Sequence, residues 1–300
     1  MESGEMMHEV PACIPCYLKQ VINTFNQVGV EDERAQQLMR SVLPVISTMN
    51  PRKTPAENST VLLHKLNELL GDPDPFLRAK QKSNELALRM LPRLRKIVAD
   101  SADPLFTACR VAIAGNIIDM GILENFDVDA SIDNALGSKF AHNDARLFKS
   151  KVEAARRILI LGDNSGEIVF DRVLAELLKH WNKEVIYAVK GGTILNDATM
   201  QDAETTGMTE TVKVIDNGTN YIGTILEHCS PEFCRVFADS EVVISKGQGN
   251  YETLESTPEA GEKTFFLLRA KCPAVARTLG VELGDIVLAG NVPGTDNSTK

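Results

Sequence analysis

Four stretches of the chain are apolar at consecutive positions, and each stops on glycine and polar side chains. Ile158-Leu-Ile-Leu161 runs into Gly162, Asp163, Asn164, Ser165 and Gly166. Glu184 to Lys190 runs into Gly191-Gly192-Thr193 and then Asn196-Asp197, and Val212 to Asp216 into Asn217-Gly218-Thr219-Asn220. Glu241 to Ser245 runs into Lys246, Gly247, Gln248, Gly249 and Asn250. Unbroken apolar runs bounded by turn chemistry are the pattern of parallel strands buried on both faces. Between them, residues Ile168 to Trp181, Tyr221 to Cys229 and Pro231 to Asp239 carry helical character. Strand and helix in alternation predict right-handed crossovers and a mainly parallel sheet, which gathers the strand ends on one edge.

The first hundred residues follow a different period. Cys16 to Val28, Glu31 to Met49 and Ser59 to Leu70 place apolar residues at helical spacing. Asn50 to Pro55 and Gly71 to Phe76 break the pattern, and a further helix runs through Arg89 or Arg95. The expected organisation is a helical domain over 1–104 and an α/β domain over 105–300, with the helices capping one edge of the sheet. Ala108 to Gly121 reads as a nearly apolar, buried helix carrying Arg110, Asn116 and Asp119. Asn116 and Asp119 are three apart and share a face. Unpaired polar groups in such a helix cost about 1–3 kcal/mol each, so they either brace neighbouring loops or line a cleft, and the cleft is favoured.

Composition narrows the possibilities. With 300 residues, 43% hydrophobic and 24% charged, the chain supports a sizeable core. A net charge of −9 and a pI near 5.2 argue against a nucleic-acid partner. They also repel a phosphate-bearing substrate unless a bound cation inverts the local field. No apolar run reaches the ~20 residues that span a bilayer, and Met1 to Pro11 lacks a signal-peptide core. A cytoplasmic protein is expected. Among six cysteines only Cys13-Ile-Pro-Cys16 has a spacing that directs two sulfurs at one centre. No second pair completes a tetrahedral set, so a structural or accessory role is preferred over metal binding.

Ligands of open α/β sheets sit beyond the carboxyl ends of the strands. Asp163 and Asn164 stand there and offer two hard oxygen donors, which suit Mg²⁺, Mn²⁺ or a related divalent ion.

Set in order, several motifs resemble the domain-of-unknown-function 89 family, also called damage-control phosphatases. The pieces are Cys13-Ile-Pro-Cys16, Asp74-Pro75, Ala112 to Asp119, Gly162 to Asp171, Asn196-Asp197-Ala-Thr199 and Ser245 to Glu252. They span nearly the whole chain, and the amino-terminal Cys pair is similar to that of the stand-alone prokaryotic branch. The resemblance implies a three-layer α/β/α Rossmann-like core with a helical domain. It also implies a metal-dependent phosphatase acting on small phosphorylated metabolites, sugar phosphates or cofactor-related phosphates. By the same resemblance the metal lies on Asp163, Asn164 and Asp197, with Mn²⁺, Mg²⁺, Co²⁺ or Ni²⁺ as occupants.

Phosphoryl transfer needs its negative charge neutralised, an in-line nucleophile and donors for the equatorial oxygens. Lys246, inside a glycine-flanked loop with Gly247, is the expected phosphate contact and joins Asp163, Asn164 and Asp197 as the catalytic set. The backbone of Ser165 and Gly166 at a helix start suits an anion. Asn250 and Asn116 are expected to orient substrate or water, and Arg110, Asp119 and Glu167 to line the site. Glu167 reads equally as a first-turn acid favoured by the helix dipole. Water activated by the metal is favoured over attack by Asp163, because Ser165 stands where that alternative route often has a second acid. Two rival readings differ in class. One is a Rossmann-type cofactor binder such as a carboxyl methyltransferase or a dehydrogenase, against which the Gly-x-Gly-x-x-Gly fingerprint is missing after Leu161. The other is a non-enzymatic metal- or redox-handling protein built on Cys13 and Cys16.

Overall fold

The computed structural model describes residues 7–115 and 136–291. The chain opens with α1 (Cys13–Val28), α2 (Asp32–Ser47) and α3 (Pro55–Leu70). Gly29 and Gly71 end α1 and α3 in the left-handed conformation, and Thr54 caps α3 by accepting from the Glu57 N–H at 3.2 Å. These three helices bury Tyr17, Val21, Phe25, Leu38, Val42, Leu62, Leu63 and Leu66 in an apolar cluster of their own.

Next come α4 (Leu77–Ala99) and α5 (Pro104–Ala114), then β1 (Phe140–Asn143), α6 (Ala145–Ala154), β2 (Arg157–Leu161), α7 (Glu167–His180) and β3 (Glu184–Val189). The short α8 (Met200–Thr205) and α9 (Met208–Thr211) lead to β4 (Lys213–Asp216), α10 (Pro231–Asp239), β5 (Val242–Lys246) and α11 (Gln248–Leu254). The chain returns through β6 (Thr264–Arg269), α12 (Pro273–Leu279) and β7 (Ile286–Gly290).

The seven strands form one sheet in the order β1-β7-β6-β5-β2-β3-β4. Every neighbouring pair is parallel except β6 with β7. The pleat sends alternate residues of β2 to opposite faces. Ile158 and Ile160 join α4, α5 and α7 in one apolar cluster. Leu159 and Leu161 join Phe233, Phe237, Tyr251, Leu254, Val275 and Leu279 of α10, α11 and α12 in another. The result is the expected three layers, α/β/α. The four strands read from the sequence lie at β2 to β5, within one residue of the expected limits.

Two features depart from the sequence reading. Tyr221 to Cys229 forms no α-helix and contains only a single 3₁₀ turn at Leu226–His228. Its backbone bonds go elsewhere: the Ile222 N–H donates to Thr60 Oγ1 at 3.0 Å and the Thr224 N–H to Thr253 Oγ1 at 2.8 Å. Gly223 in between has a φ of 75°, which no α-helix contains. Three strands, β1, β6 and β7, add to the four the sequence pattern singled out.

Across β2 the chain order reverses. The loops after β2 and β3 lead toward β4, and the loop after β5 leads toward β6. The carboxyl ends of β2 and β5 therefore flank the switch point where open sheets of this kind hold their ligands.

Candidate active site

A cavity of about 360 Å³ opens at that point. Asp163, Asn164, Asn196, Asp197, Gly247 and Gln248 form its floor, and Tyr17, Gln20 and Ser59 of α1 and α3 face it from the helical side. The loops after β2 and β3 are tied to each other by backbone bonds. The Ser165 N–H donates to Asn196 O and the Ala198 N–H to Asp163 O, both at 2.8 Å, and Asn164 pairs with Asp197 as an isolated bridge. Asp163, Asn164 and Asp197, fixed in this way, share one side of the cavity as the sequence reading expected.

The charges around them are closely arranged. Lys190, buried at the end of β3, reaches Asp197 Oδ2 at 3.5 Å and donates to Gly223 O. Lys246, at the end of β5, is fully buried and donates to Glu167 Oε1 at 2.5 Å, Asp171 Oδ1 at 2.7 Å and Ala112 O at 3.0 Å. Burial pulls the Lys246 ammonium down, yet Asp171 and Glu167 together hold it above its usual range. Burial and the Glu167 charge push Asp171 up to about 6, against the pull of Lys246. Tyr187 Oη donates to Asp171 Oδ2 at 2.8 Å. Asp163 is raised well above the carboxylate range by burial first and then by the charges of Glu167 and Asp197.

Four carboxylates, Asp163, Glu167, Asp171 and Asp197, thus meet two buried ammonium groups, Lys190 and Lys246. Lys271 is a further cation beside Asp163. Asp163 and Asp197 are hard oxygen donors, and the Asn164 carbonyl oxygen is a third, so the donor set fits Mg²⁺, Mn²⁺ or a similar ion. Among the described residues no group of three or more His, Cys, Asp or Glu side chains could hold a metal ion by itself. Cys13 and Cys16 line the same cavity with Cys272, all three as free thiols. Burial pushes the Cys13 and Cys16 thiols up, away from the thiolate that metal binding or exchange requires.

Several expected substrate contacts are placed differently. Lys246 does not reach the cavity, because its three donors are consumed inside the protein. Glu167, also buried, lies beneath Asn164 and accepts from its Nδ2 at 3.3 Å. The anion nest at the start of α7 is already filled: the Gly166 N–H donates to Asn84 Oδ1 at 2.6 Å, and the Ser165 N–H is spent on Asn196. Asn250 is committed at both ends of its amide, accepting from Thr224 Oγ1 at 2.7 Å and donating to Gly162 O at 3.1 Å and Lys246 O at 2.7 Å. It splices the ends of β2 and β5. Arg110 lies over the Phe140 ring, 5.5 Å from its centre, and does not line the cavity. Gly247 does line it. Asn116 and Asp119 fall outside the described residues.

Arg269, the last residue of β6, and Lys271, just past it, line the cavity and escaped the sequence reading. Lys271 lies near enough to draw the Asp163 pKa down. The signal was available: Thr264 to Leu268 is one more apolar run that ends in polar chemistry.

An α/β/α sheet with carboxylates and an amide gathered at its switch point defines a Rossmann-like protein with a ligand site at that edge. The chain belongs to the damage-control phosphatase ARMT1-like domain family, whose pattern it matches over residues 10–287. It is 34% identical over 283 residues to a damage-control phosphatase of Pyrococcus horikoshii, covering 93% of this chain and 96% of that protein. It is 30% identical to a damage-control phosphatase of Archaeoglobus fulgidus, with 92% and 97% covered. The crystal structure of a DUF89 family protein from Pyrococcus horikoshii superposes with a TM-score of 0.87 at 32% identity, covering 95% of this chain and 99% of that one. The resemblance read from the motifs is thereby established as family membership, and the protein is a phosphatase by class.

Proposed function

We propose that this phosphatase is metal-dependent and hydrolyses small phosphorylated metabolites with water as the nucleophile. The observation that carries the reading is the convergence of Asp163, Asn164 and Asp197, three oxygen-bearing side chains, on one side of the cavity at the switch point. Asp163, Asn164 and Asp197 would hold the cation. When bound, it supplies charge for the phosphoryl oxygens and acidifies a water.

The chain's own groups do the rest. Lys271, a cation on the cavity wall, is placed to attract the phosphate into an otherwise acidic protein. Lys246 and Lys190 hold neighbouring carboxylates in place. Tyr17 and Ser59, presented by α1 and α3, shape the cavity wall, with their hydroxyls already donated to Glu9 and Gln20. The cavity volume suits a ligand of metabolite size. No described helix is long and apolar enough to cross a membrane.

The test is direct. Purified parent protein, stripped by chelator and reloaded with Mn²⁺, should hydrolyse p-nitrophenyl phosphate, and the Asp197→Ala variant should lose turnover by at least about 100-fold with its fold intact. Full activity of the stripped protein, or of Asp197→Ala, would overturn the reading.

A further inference from the structure

An amide side chain is an ambiguous ligand. Its oxygen attracts a cation and its NH₂ repels one, and only the surroundings decide which end is presented. Asn164 is 7% exposed, and its Nδ2 sits between two carboxylates, donating to Asp163 Oδ2 at 2.9 Å and Glu167 Oε2 at 3.3 Å. The reverse orientation would set the amide oxygen against both acids. Of the two, Asp163 is itself needed at the cation, so Glu167 is the group that can spend its charge on orientation.

Glu167 is equipped for that. Its second oxygen, Oε1, takes the Lys246 ammonium at 2.5 Å, and Lys246 is in turn held by Asp171 Oδ1 at 2.7 Å and Ala112 O at 3.0 Å. Asp171 is fixed by the Tyr187 hydroxyl at 2.8 Å. All of these groups are buried, and Gly115 leaves room for the Glu167 stem, since a Cβ there would stand 3.0 Å from its Cγ. The carboxylate is held at both oxygens, by Lys246 on one and Asn164 on the other.

We propose that Glu167 is a positioning residue: clamped by Lys246, it holds the Asn164 amide nitrogen and so turns the amide oxygen toward a divalent cation shared with Asp163 and Asp197. The inference rests on the metal-dependent reading above. It differs from a simple charge effect, because it acts through one amide and demands one oxygen position. Outer-shell partners of this kind typically change metal affinity by about 10–100-fold.

The test is a mutant cycle read by Mn²⁺ binding, using electron paramagnetic resonance and calorimetry on the full chain, without any turnover assay. Glu167→Asp keeps the charge and the Lys246 partner but withdraws the carboxylate by one methylene. It should weaken Mn²⁺ binding by at least about tenfold. Glu167→Gln should do the same, by offering an NH₂ where Asn164 needs an acceptor. In an Asn164→Ala background, neither change at position 167 should cost more than about threefold further, since the oxygen they misplace is gone. Thermal unfolding run alongside identifies any variant that fails to fold, and either position-167 variant alone completes the cycle. Parent-like affinity in Glu167→Asp overturns the inference, as do losses that simply add in the double variants. A parent protein that binds no Mn²⁺ instead overturns the metal-dependent reading itself.

Discussion

Gly247 and Asp163 meet across the switch point so closely that a Cβ built on Gly247 falls on the Asp163 carboxylate. Gly247 also has a φ of 77°, a conformation other residues rarely adopt. The glycine after β5 therefore makes space for the acid after β2, and the cavity floor depends on both. Gly247→Ala should displace Asp163 and strain the loop, with an expected loss of at least about tenfold in kcat/KM, equivalent to about 1.4 kcal/mol. A kinetic comparison with Gly249→Ala separates the causes, because a Cβ there meets Ile222 and Gly223 rather than an acid.

Lys246 makes a prediction about stability rather than substrate capture. Removing its ammonium leaves Glu167 and Asp171 buried side by side without the cation they share. Breaking a buried ion pair from one side typically costs about 3–5 kcal/mol. Lys246→Met should lower the urea midpoint strongly, and excess substrate should not rescue its activity. A variant as stable as the parent but with a raised KM would restore Lys246 to the phosphate-binding role that its loop position first implied.

The contrast at Lys246 shows where sequence reading succeeds and where it stops. Strand ends are legible because β2, β3 and β5 are continuous apolar runs cut off by glycine, and the parallel topology then places Asp163, Asn164 and Asp197 together. Side-chain direction is a different matter. Lys246 is the last residue of β5, and the pleat alone decides whether its ammonium enters the cavity or the layer against α5 and α7. No local pattern reports which acids wait there. Asn250 was misread for a related reason: its partners, Gly162 and Thr224, are 88 and 26 residues away in sequence. Tyr221 to Cys229 looked helical because its apolar residues are suitably spaced, but its backbone bonds are taken by α3 and α11.

Lys271 is the cation expected to meet substrate. It lies on the cavity wall near Asp163, at an exposed position just past β6. Lys271→Gln should raise KM for a phosphorylated substrate by about tenfold, corresponding to about 1.4 kcal/mol of lost attraction. Mn²⁺ affinity should rise slightly or stay level, since a positive neighbour of the carboxylates is removed. Steady-state kinetics at two ionic strengths provide the check: the KM difference between parent and variant should narrow as salt screens the charge.

Glu252 offers a prediction in pH. It is buried on the cavity wall, takes the Gln248 Nε2 donor at 2.8 Å, and burial pushes it up to about 7 from an ordinary value of 4.5. The folded protein thus holds a proton that the unfolded chain gives up between pH 4.5 and about 7. The native state binds more protons there, so stability is fully present below the unfolded value and is lost as pH rises through the folded one. A shift of this size corresponds to roughly 3 kcal/mol between the two ends of the window. Glu252→Gln keeps the shape and an acceptor for Gln248 but has nothing to titrate. Urea unfolding of parent and variant at pH 5 and pH 8 should show the variant gaining on the parent by about 2–3 kcal/mol at the higher pH. Parallel pH profiles would mean that Glu252 is solvated in the folded protein and that this side of the cavity is wetter than its packing implies.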